Sequence, residues 1–107
     1  MKKPLTYILF FILFSSFGQQ SQVEELLSRH NEYMEKSDFD SALSVSKKSL
    51  QIAQQLDNEL LQAKSFIAIA NAHFKKGEIT QAESIGQQAL SIAKKLKDPT
   101  LFMEVYL

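Results

Sequence analysis

Hydrophobic residues recur every three or four positions along the chain after residue 22, and this spacing is typical of amphipathic α-helices. Short polar or glycine-containing segments interrupt the pattern at four places: Ser37-Asp38, Asp57-Asn58, Lys76-Gly77 and Asp98-Pro99. Asp and Asn cap helix N-termini, while a glycine that follows lysines is a common helix end. The sequence contains no run of β-branched residues and no hairpin dipeptide. The pattern therefore predicts an all-α fold whose helices are joined by short turns.

Two residue pairs have the spacing of a capping box, in which each side chain bonds the backbone amide of the other residue at a helix start. They are Ser21 with Glu24 and Thr80 with Glu83. These pairs predict that helices begin at Ser21 and Thr80. Asp98 predicts one further helix start, because it is followed by a proline, which suits the first helical position.

The first 18 residues have the pattern of a secretory signal peptide. Two lysines precede an apolar block at 5–14, and small residues at Ser16 and Gly18 occupy the −3 and −1 positions of a cleavage site. This block is shorter than the roughly 20 apolar residues that cross a bilayer. We therefore expect residues 1–18 to be a cleaved signal peptide and the protein to be exported, to the periplasm or outside the cell. An N-terminal segment that stays uncleaved and anchors the chain in the membrane is the alternative.

The chain is similar to itself when it is shifted by 40 residues. The matching positions are mostly Leu, Ile and Ala: Leu50, Ile52, Ala53 and Leu56 recur as Leu90, Ile92, Ala93 and Leu96. An internal period of this length indicates a solenoid, in which each helix pair buries its apolar face against the next pair. Small alanines at matched positions allow helices to approach closely, and the larger side chains fill the space between pairs.

The second copy of this pattern resembles the tetratricopeptide repeat family. Its segment Ala70 to Ala82, ANAHFKKGEITQA, is similar to the family's G-N-x-Y-x-x-x-G-D-Y-x-x-A stretch, and Ala89-Leu90 completes the second helix. The first copy departs from the pattern, since Ser37 replaces the turn glycine and Ser49 replaces a packing alanine. The resemblance covers residues 23–107, and the 40-residue spacing is similar to that of long-period members of the family.

The resemblance implies an α-solenoid of antiparallel helix hairpins. It divides the chain after the signal peptide into a degenerate repeat at about 21–57, a clearer repeat at about 58–97 and the start of a third repeat at 98–107. It also implies a non-enzymatic scaffold that binds a protein or peptide in a concave groove lined by the first helix of each pair.

Seven residues are expected along this groove. Asn31 and Asn71 stand one repeat apart, where their amides would bond the backbone of an extended peptide without reading its side chains. Lys64 would add a charge-assisted bond to a carboxylate. Apolar pockets would come from Leu27, Met34, Ile67 and Phe74. A purely structural role for the two asparagines, in helix packing, stays open.

Composition argues against most catalytic and metal chemistry. The 107 residues include no Cys, and the two histidines, His30 and His73, have no partner at metal-ligand spacing. Neither a Gly-x-Ser-x-Gly elbow nor a glycine-rich phosphate loop is present in the sequence. Lys+Arg and Asp+Glu both number 12, and acids interleave the lysine pairs. We therefore expect no catalysis, no metal or other cofactor, and no nucleic-acid binding by this segment.

The C-terminal segment 101–107 is apolar, whereas a solenoid usually ends on a helix with a polar outer face. One hypothesis is that the chain is the N-terminal part of a longer protein, similar to the sensory arrays of bacterial membrane-tethered sensor kinases and regulators. A second is a complete small periplasmic adaptor that forms a homodimer through Phe102 and Tyr106. A third is an accessory to an enzyme that contributes recognition alone.

Overall fold

A computed structural model describes the backbone of residues 4–106 and the side chains of residues 17–101 and of Glu104. Within this part the helices are α1 (Pro4–Glu35), α2 (Phe39–Gln55), α3 (Glu59–Lys75), α4 (Ile79–Leu96) and α5 (Pro99–Tyr106). Residues 4–106 contain no β-strand. The prediction of an all-α fold is therefore confirmed.

Each helix packs against the next one in the chain, and α3 also contacts α1 and α5. The connections are so short that consecutive helices lie antiparallel, as in an αα-hairpin. The first hairpin is α1 with α2, and the second is α3 with α4. Stacking of the second hairpin on the first places α1, α3 and α5 side by side, which is the arrangement of an α-solenoid.

Four residues spaced 20 positions apart end the first four helices in the same way. All have a left-handed backbone, with φ of 57°, 52°, 84° and 54° at Ser37, Asp57, Gly77 and Lys97. The amide of the residue after each of them bonds the carbonyl five positions earlier, at 2.9–3.3 Å. This is the Schellman arrangement, which closes a helix and turns the chain within a few residues. The spacing of 20 is half the 40-residue period, so the turns of one hairpin repeat in the next.

Three of the four helices that follow these turns begin on a side-chain cap. Oxygens of Asp38, Asn58 and Asp98 accept hydrogen bonds from backbone amides two or three residues later, at 3.2, 3.1 and 2.9 Å. The predicted starts after Asp38, Asn58 and Asp98 are confirmed. The fourth N-cap, Glu78, makes no such bond, and its carboxylate lies instead 3.2 Å from the Nδ1 atom of His73.

Both capping-box predictions are wrong. α4 begins at Ile79, so Thr80 already lies inside the first turn of that helix. Ser21 lies within α1, which is continuous from Pro4 to Glu35, so its hydroxyl has no helix start to cap. The apolar period marks where packing begins, because residues 17–22 are exposed and Val23 is fully buried. The helix itself begins earlier.

Alanines make up a large part of the buried core between the helices. Six of them are fully buried: Ala42, Ala53, Ala63, Ala72, Ala89 and Ala93. Around them, Leu61 of α3 forms a cluster with Val23 and Ala53 of the first hairpin. Leu101 of α5 belongs to the cluster that contains Ala63 and Ala93 of the second hairpin. These two sets differ by 40 residues, so α5 begins its course over the second hairpin as α3 does over the first.

Candidate functional site

A groove of about 510 Å³ lies on the side of the solenoid formed by α1, α3 and α5. We call it the first-helix groove. Its polar lining residues are Glu24, Ser28, Asn31, Lys64, Asn71 and Glu104. The remaining lining residues are Leu27, His30, Leu61, Ile67 and Ala68. Five of the seven residues expected along a groove, Leu27, Asn31, Lys64, Ile67 and Asn71, are therefore brought together here.

Asn31 and Asn71 lie on neighbouring first helices and are both exposed. The structure records no hydrogen bond from either side-chain amide to the residues that it describes. Each amide offers two N–H donors and one carbonyl acceptor, which is the complement of a peptide unit. The two side chains can therefore bond a ligand without first breaking an intramolecular bond.

The first-helix groove carries charges of both signs. Lys64 of α3 shares it with Glu24 of α1 and Glu104 of α5, and all three are exposed. In the described part of the chain, Lys64 forms no ion pair. Its ammonium group is thus available to a ligand carboxylate, while the two acids favour a ligand that also carries a cation.

The other two expected groove residues, Met34 and Phe74, are not in the lining of the first-helix groove. Met34 is half-buried and packs against the cluster that contains Leu43 and Ile69. Phe74 is 59% exposed and lines a second groove, between α3 and α4, together with two other expected residues, Ile67 and Asn71. Both lie in the last turn of a first helix, where the apolar side chain faces the second helix of the hairpin.

His30 is a groove residue that sequence reasoning assigned to packing or solvent. Its ring is 3% exposed, and Nδ1 lies 3.1 Å from the carbonyl oxygen of Ala42 on α2. A carbonyl oxygen can only accept, so Nδ1 donates the proton and Nε2 is the acceptor of the neutral ring. Burial lowers the pKa of His30 below its ordinary value, and the Ala42 carbonyl offsets only part of that shift. The groove therefore contains a neutral imidazole at physiological pH.

A second groove, of about 870 Å³, lies between α3 and α4. We call it the end groove. It is lined on α3 from Ile67 to Phe74 and on α4 from Ile79 to Leu90. The two most exposed apolar side chains in its lining are Phe74 at 59% and Ile79 at 46%. The sequence did not predict this groove, because the spacing of apolar residues along a helix does not show which helix faces a later helix covers.

Among the described residues, no three His, Asp or Glu side chains lie close enough together to hold a metal ion. None of the helices in residues 4–106 combines the length and the apolar character needed to cross a membrane. The side chains of Phe102 and Tyr106, which were expected to form a homodimer interface, lie outside the described ones.

Comparison with known families agrees with the helical repeat. The family model described as "Tetratricopeptide repeat" matches residues 16–95, which include all of α2 and α3 and most of α4. No curated protein and no solved structure matches the chain.

Proposed function

The chain belongs to the tetratricopeptide repeat family, and on that premise we propose that it is a non-enzymatic scaffold that captures an extended peptide in the first-helix groove. Members of the family generally mediate protein–protein interaction. One observation carries the proposal: Asn31 and Asn71 lie exposed in one groove, on equivalent turns of neighbouring first helices. Two free amides at equivalent positions of a repeat suit a ligand whose own polar groups repeat, such as an extended backbone.

Each asparagine amide would donate to a peptide carbonyl and accept from a peptide N–H, which holds the backbone whatever its sequence. Sequence preference would come from the rest of the groove. Leu27 and Ile67 offer apolar contact, Lys64 offers a cation for a carboxylate, and Glu24 and Glu104 offer anions for a basic side chain. The unprotonated Nε2 of His30 adds an acceptor. The ligand expected is therefore a peptide with aliphatic residues and charges of both signs.

The proposal is tested by selecting a phage-displayed library of random linear peptides on the protein and measuring the affinity of the selected peptides by calorimetry. Replacing Asn31 and Asn71 together with Ala removes two sets of backbone bonds of about 1 kcal/mol each, so we expect affinity to fall about thirtyfold. The matched control is Gln51→Ala with Gln54→Ala, two exposed amides of α2 that line neither groove. Selected peptides that bind the Asn31/Asn71 variant as well as they bind the unchanged protein would refute the proposal.

Export is a separate part of the proposal. It is supported by the signal-like pattern of residues 1–18 and by a length match: removing them leaves residues 19–35 of α1, which are 17 residues, the same length as α2 and α3. The test is expression in bacteria, followed by fractionation and mass measurement of the intact protein. We expect a periplasmic or secreted product that begins at Gln19. Retention of residues 1–18 on a cytoplasmic product would overturn this part.

The wider context proposed is sensory. Resemblance to exported bacterial arrays supports a role as the peptide-binding input of a sensor or regulator. A reading frame that continues past Leu107 into a signalling domain would be the expected genomic finding, and a stop codon directly after Leu107 would contradict it.

A further inference from the structure

The lining of the first-helix groove repeats from one first helix to the next. On α1 it includes four residues with the spacing i, i+3, i+4 and i+7, and the same four positions line the groove on α3, 40 residues later. These residues are Glu24, Leu27, Ser28 and Asn31 on α1, and Lys64, Ile67, Ala68 and Asn71 on α3. Each of these helices therefore presents one stripe to the groove, and equivalent positions form rows that cross the helices.

One of these rows consists of charged residues, and their sign alternates along it. Glu24 of α1, Lys64 of α3 and Glu104 of α5 occupy the same repeat position, line the groove and are exposed. Within the described part of the chain, none of the three forms an ion pair. Because these charges are not used in internal pairing, they present a negative–positive–negative pattern to a ligand. We call this set the charged row.

The two asparagines form the opposite edge of the same stripes. Asn31 and Asn71 lie seven residues after Glu24 and Lys64, which is a rise of about 10 Å along each helix, and the aliphatic row lies between them. A peptide backbone held by both asparagines crosses the helices, and its side chains then extend over the aliphatic row to the charged row. Every ion pair that forms there joins a long cationic side chain to a shorter acid, and the two together span this distance.

The distance between neighbouring first helices sets the spacing of the ligand's side chains. Axes of packed helices lie about 8–10 Å apart, and α3 packs against both α1 and α5. A polyproline II segment repeats its side-chain direction every three residues, over about 9 Å, which matches. A β-strand repeats its direction over about 7 Å or about 13 Å, which does not match. An α-helix matches over seven residues, but its backbone groups are bonded internally and would leave both asparagines without a partner.

A nearly buried acceptor in the groove is a second indication of an extended ligand. Nδ1 of His30 is bonded to the Ala42 carbonyl, and Nε2 has no partner among the described residues. No described side-chain nitrogen or oxygen is both shielded from solvent and without a partner. Because His30 lines the first-helix groove, its Nε2 meets solvent there. It offers an acceptor beside Asn31 for a backbone N–H, a group that polyproline II leaves unbonded.

We infer that the ligand of the first-helix groove is a segment of a partner protein in the polyproline II conformation that carries basic, acidic and basic residues at three-residue spacing. The inference rests on the proposed peptide capture and adds the order and spacing of the charges. The acid pairs with Lys64, and the two basic residues pair with Glu24 and Glu104. This pattern is the same in both chain directions, so the charged row selects the ligand without fixing its direction.

The probes are three end-capped, fluorophore-labelled peptides. The first, Lys-Pro-Leu-Glu-Pro-Leu-Lys, has the inferred pattern on a backbone that proline biases toward polyproline II. The second, Glu-Pro-Leu-Lys-Pro-Leu-Glu, reverses every charge, and the third, Lys-Glu-Lys-Pro-Leu-Pro-Leu, keeps the composition of the first but places its charges side by side. In fluorescence-anisotropy titrations of the full chain at low salt, we expect the first to bind about tenfold more tightly than either of the others. The preference should shrink in high salt.

Reversing the charged row in the protein should reverse the preference. The triple variant Glu24→Lys/Lys64→Glu/Glu104→Lys presents a positive–negative–positive row, and its three positions are exposed, so its circular dichroism should match that of the unchanged chain. We expect this variant to bind the second peptide about tenfold more tightly than the first. A variant that still prefers the first peptide, or an unchanged protein that binds all three peptides equally, would overturn the inference.

Two further comparisons separate this inference from the proposed function. The control variant Glu32→Lys/Glu35→Lys/Lys48→Glu makes the same change in net charge at exposed residues that line neither groove, and it should keep the original preference. Failure of the first peptide to bind the unchanged protein also overturns the inference. The proposed function stands in that case if peptides selected from the random library depend on Asn31 and Asn71, and it falls with the inference if they do not.

Discussion

The hydroxyls of Ser49 on α2 and Ser65 on α3 hydrogen-bond to each other across 2.8 Å at the contact between the two hairpins. Both residues are fully buried. The Ser49 hydroxyl is also 2.8 Å from the backbone carbonyl of Ser46, one turn earlier in α2. A buried polar pair of this kind favours one register of the two hairpins, because sliding either helix would leave the Ser65 hydroxyl without its recorded partner, while Ser49 keeps the Ser46 carbonyl of its own helix.

Removing the Ser49 hydroxyl should destabilise the protein more than the loss of one oxygen atom suggests. Ser49→Ala takes the recorded partner from the Ser65 hydroxyl, and an unsatisfied buried hydroxyl costs about 1–3 kcal/mol. Ser65→Ala should cost less, because the Ser49 hydroxyl keeps the Ser46 carbonyl. The double variant Ser49→Ala/Ser65→Ala leaves neither group unpaired, so we expect its free energy of unfolding to lie close to that of Ser49→Ala. Urea unfolding of all four proteins measures the coupling as a double-mutant cycle. Strictly additive losses would show that the two hydroxyls do not depend on each other.

The sequence predicts a turn of the solenoid where the turn contains a residue type with a clear conformational preference. Gly77 and the caps Asp38, Asn58 and Asp98 mark their turns, because these residue types favour left-handed or capping conformations. Lys97 carries no such signal, yet it takes the same left-handed conformation since the repeat geometry imposes it. Tertiary packing overrides local preference there.

Sequence predicted a groove residue correctly where its position within the 40-residue repeat determines which surface it lies on. The spacing of Asn31 and Asn71 by one repeat is enough to place both in one groove. Met34 departs from the expectation because it packs against the cluster that contains Leu43 and Ile69, whereas Phe74 lines the end groove with Ile67 and Asn71. His30 was assigned to helix packing or solvent and is buried in the packing, whereas its hydrogen-bond partner, the Ala42 carbonyl of the next helix, is not evident from any local pattern.

At the left-handed turn positions, substitution by glycine and substitution of the native glycine by alanine should change the melting temperature in opposite directions. Ser37, Asp57 and Lys97 have φ of 57°, 52° and 54°, a region where a side chain costs roughly 1 kcal/mol. Replacing each with Gly should therefore raise the melting temperature or leave it unchanged, despite the entropy that glycine adds to the unfolded chain. Gly77→Ala, at a φ of 84°, should lower it. Thermal unfolding followed by circular dichroism gives the comparison, and stabilisation by Gly77→Ala would contradict the assigned backbone geometry.

Lys76 connects the two hairpins through charge. Its ammonium nitrogen lies 2.7 Å from a carboxylate oxygen of Asp40 on α2 and 3.4 Å from one of Glu78. The hydrogen bond and charge of Lys76 hold the pKa of Asp40 below its ordinary value, and Asp40 in turn raises the pKa of Lys76. We expect Lys76→Met to bring the Asp40 pKa back up toward its usual value in an NMR titration. Lys75→Met, an exposed neighbour with no recorded ion pair, is the control and should leave it unchanged.

The ion pair between Lys76 and Asp40 should affect the free energy of unfolding in a different pH range from the one in which His30 titrates. A lowered Asp40 pKa means that its contribution is present above the unfolded value of about 3.8 and is lost only as the pH falls through the lower folded value. The pair is solvent-exposed, so the loss should be small and should shrink in high salt.

Stability should decline in mild acid because of His30. Burial lowers its pKa in the folded protein below the unfolded value of about 6.5, so the unfolded chain binds more protons between those two pKa values. The His30 contribution is therefore fully present above about pH 6.5 and falls as the pH drops through that range toward the folded pKa.

Urea midpoints measured at steps between neutral pH and pH 5 should decrease for the unchanged protein. His30→Gln, which can still donate to the Ala42 carbonyl and does not titrate, should flatten this decline, while His73→Gln retains His30 and its decline. A slope that is unaffected by His30→Gln would show that the buried imidazole is not the group that titrates.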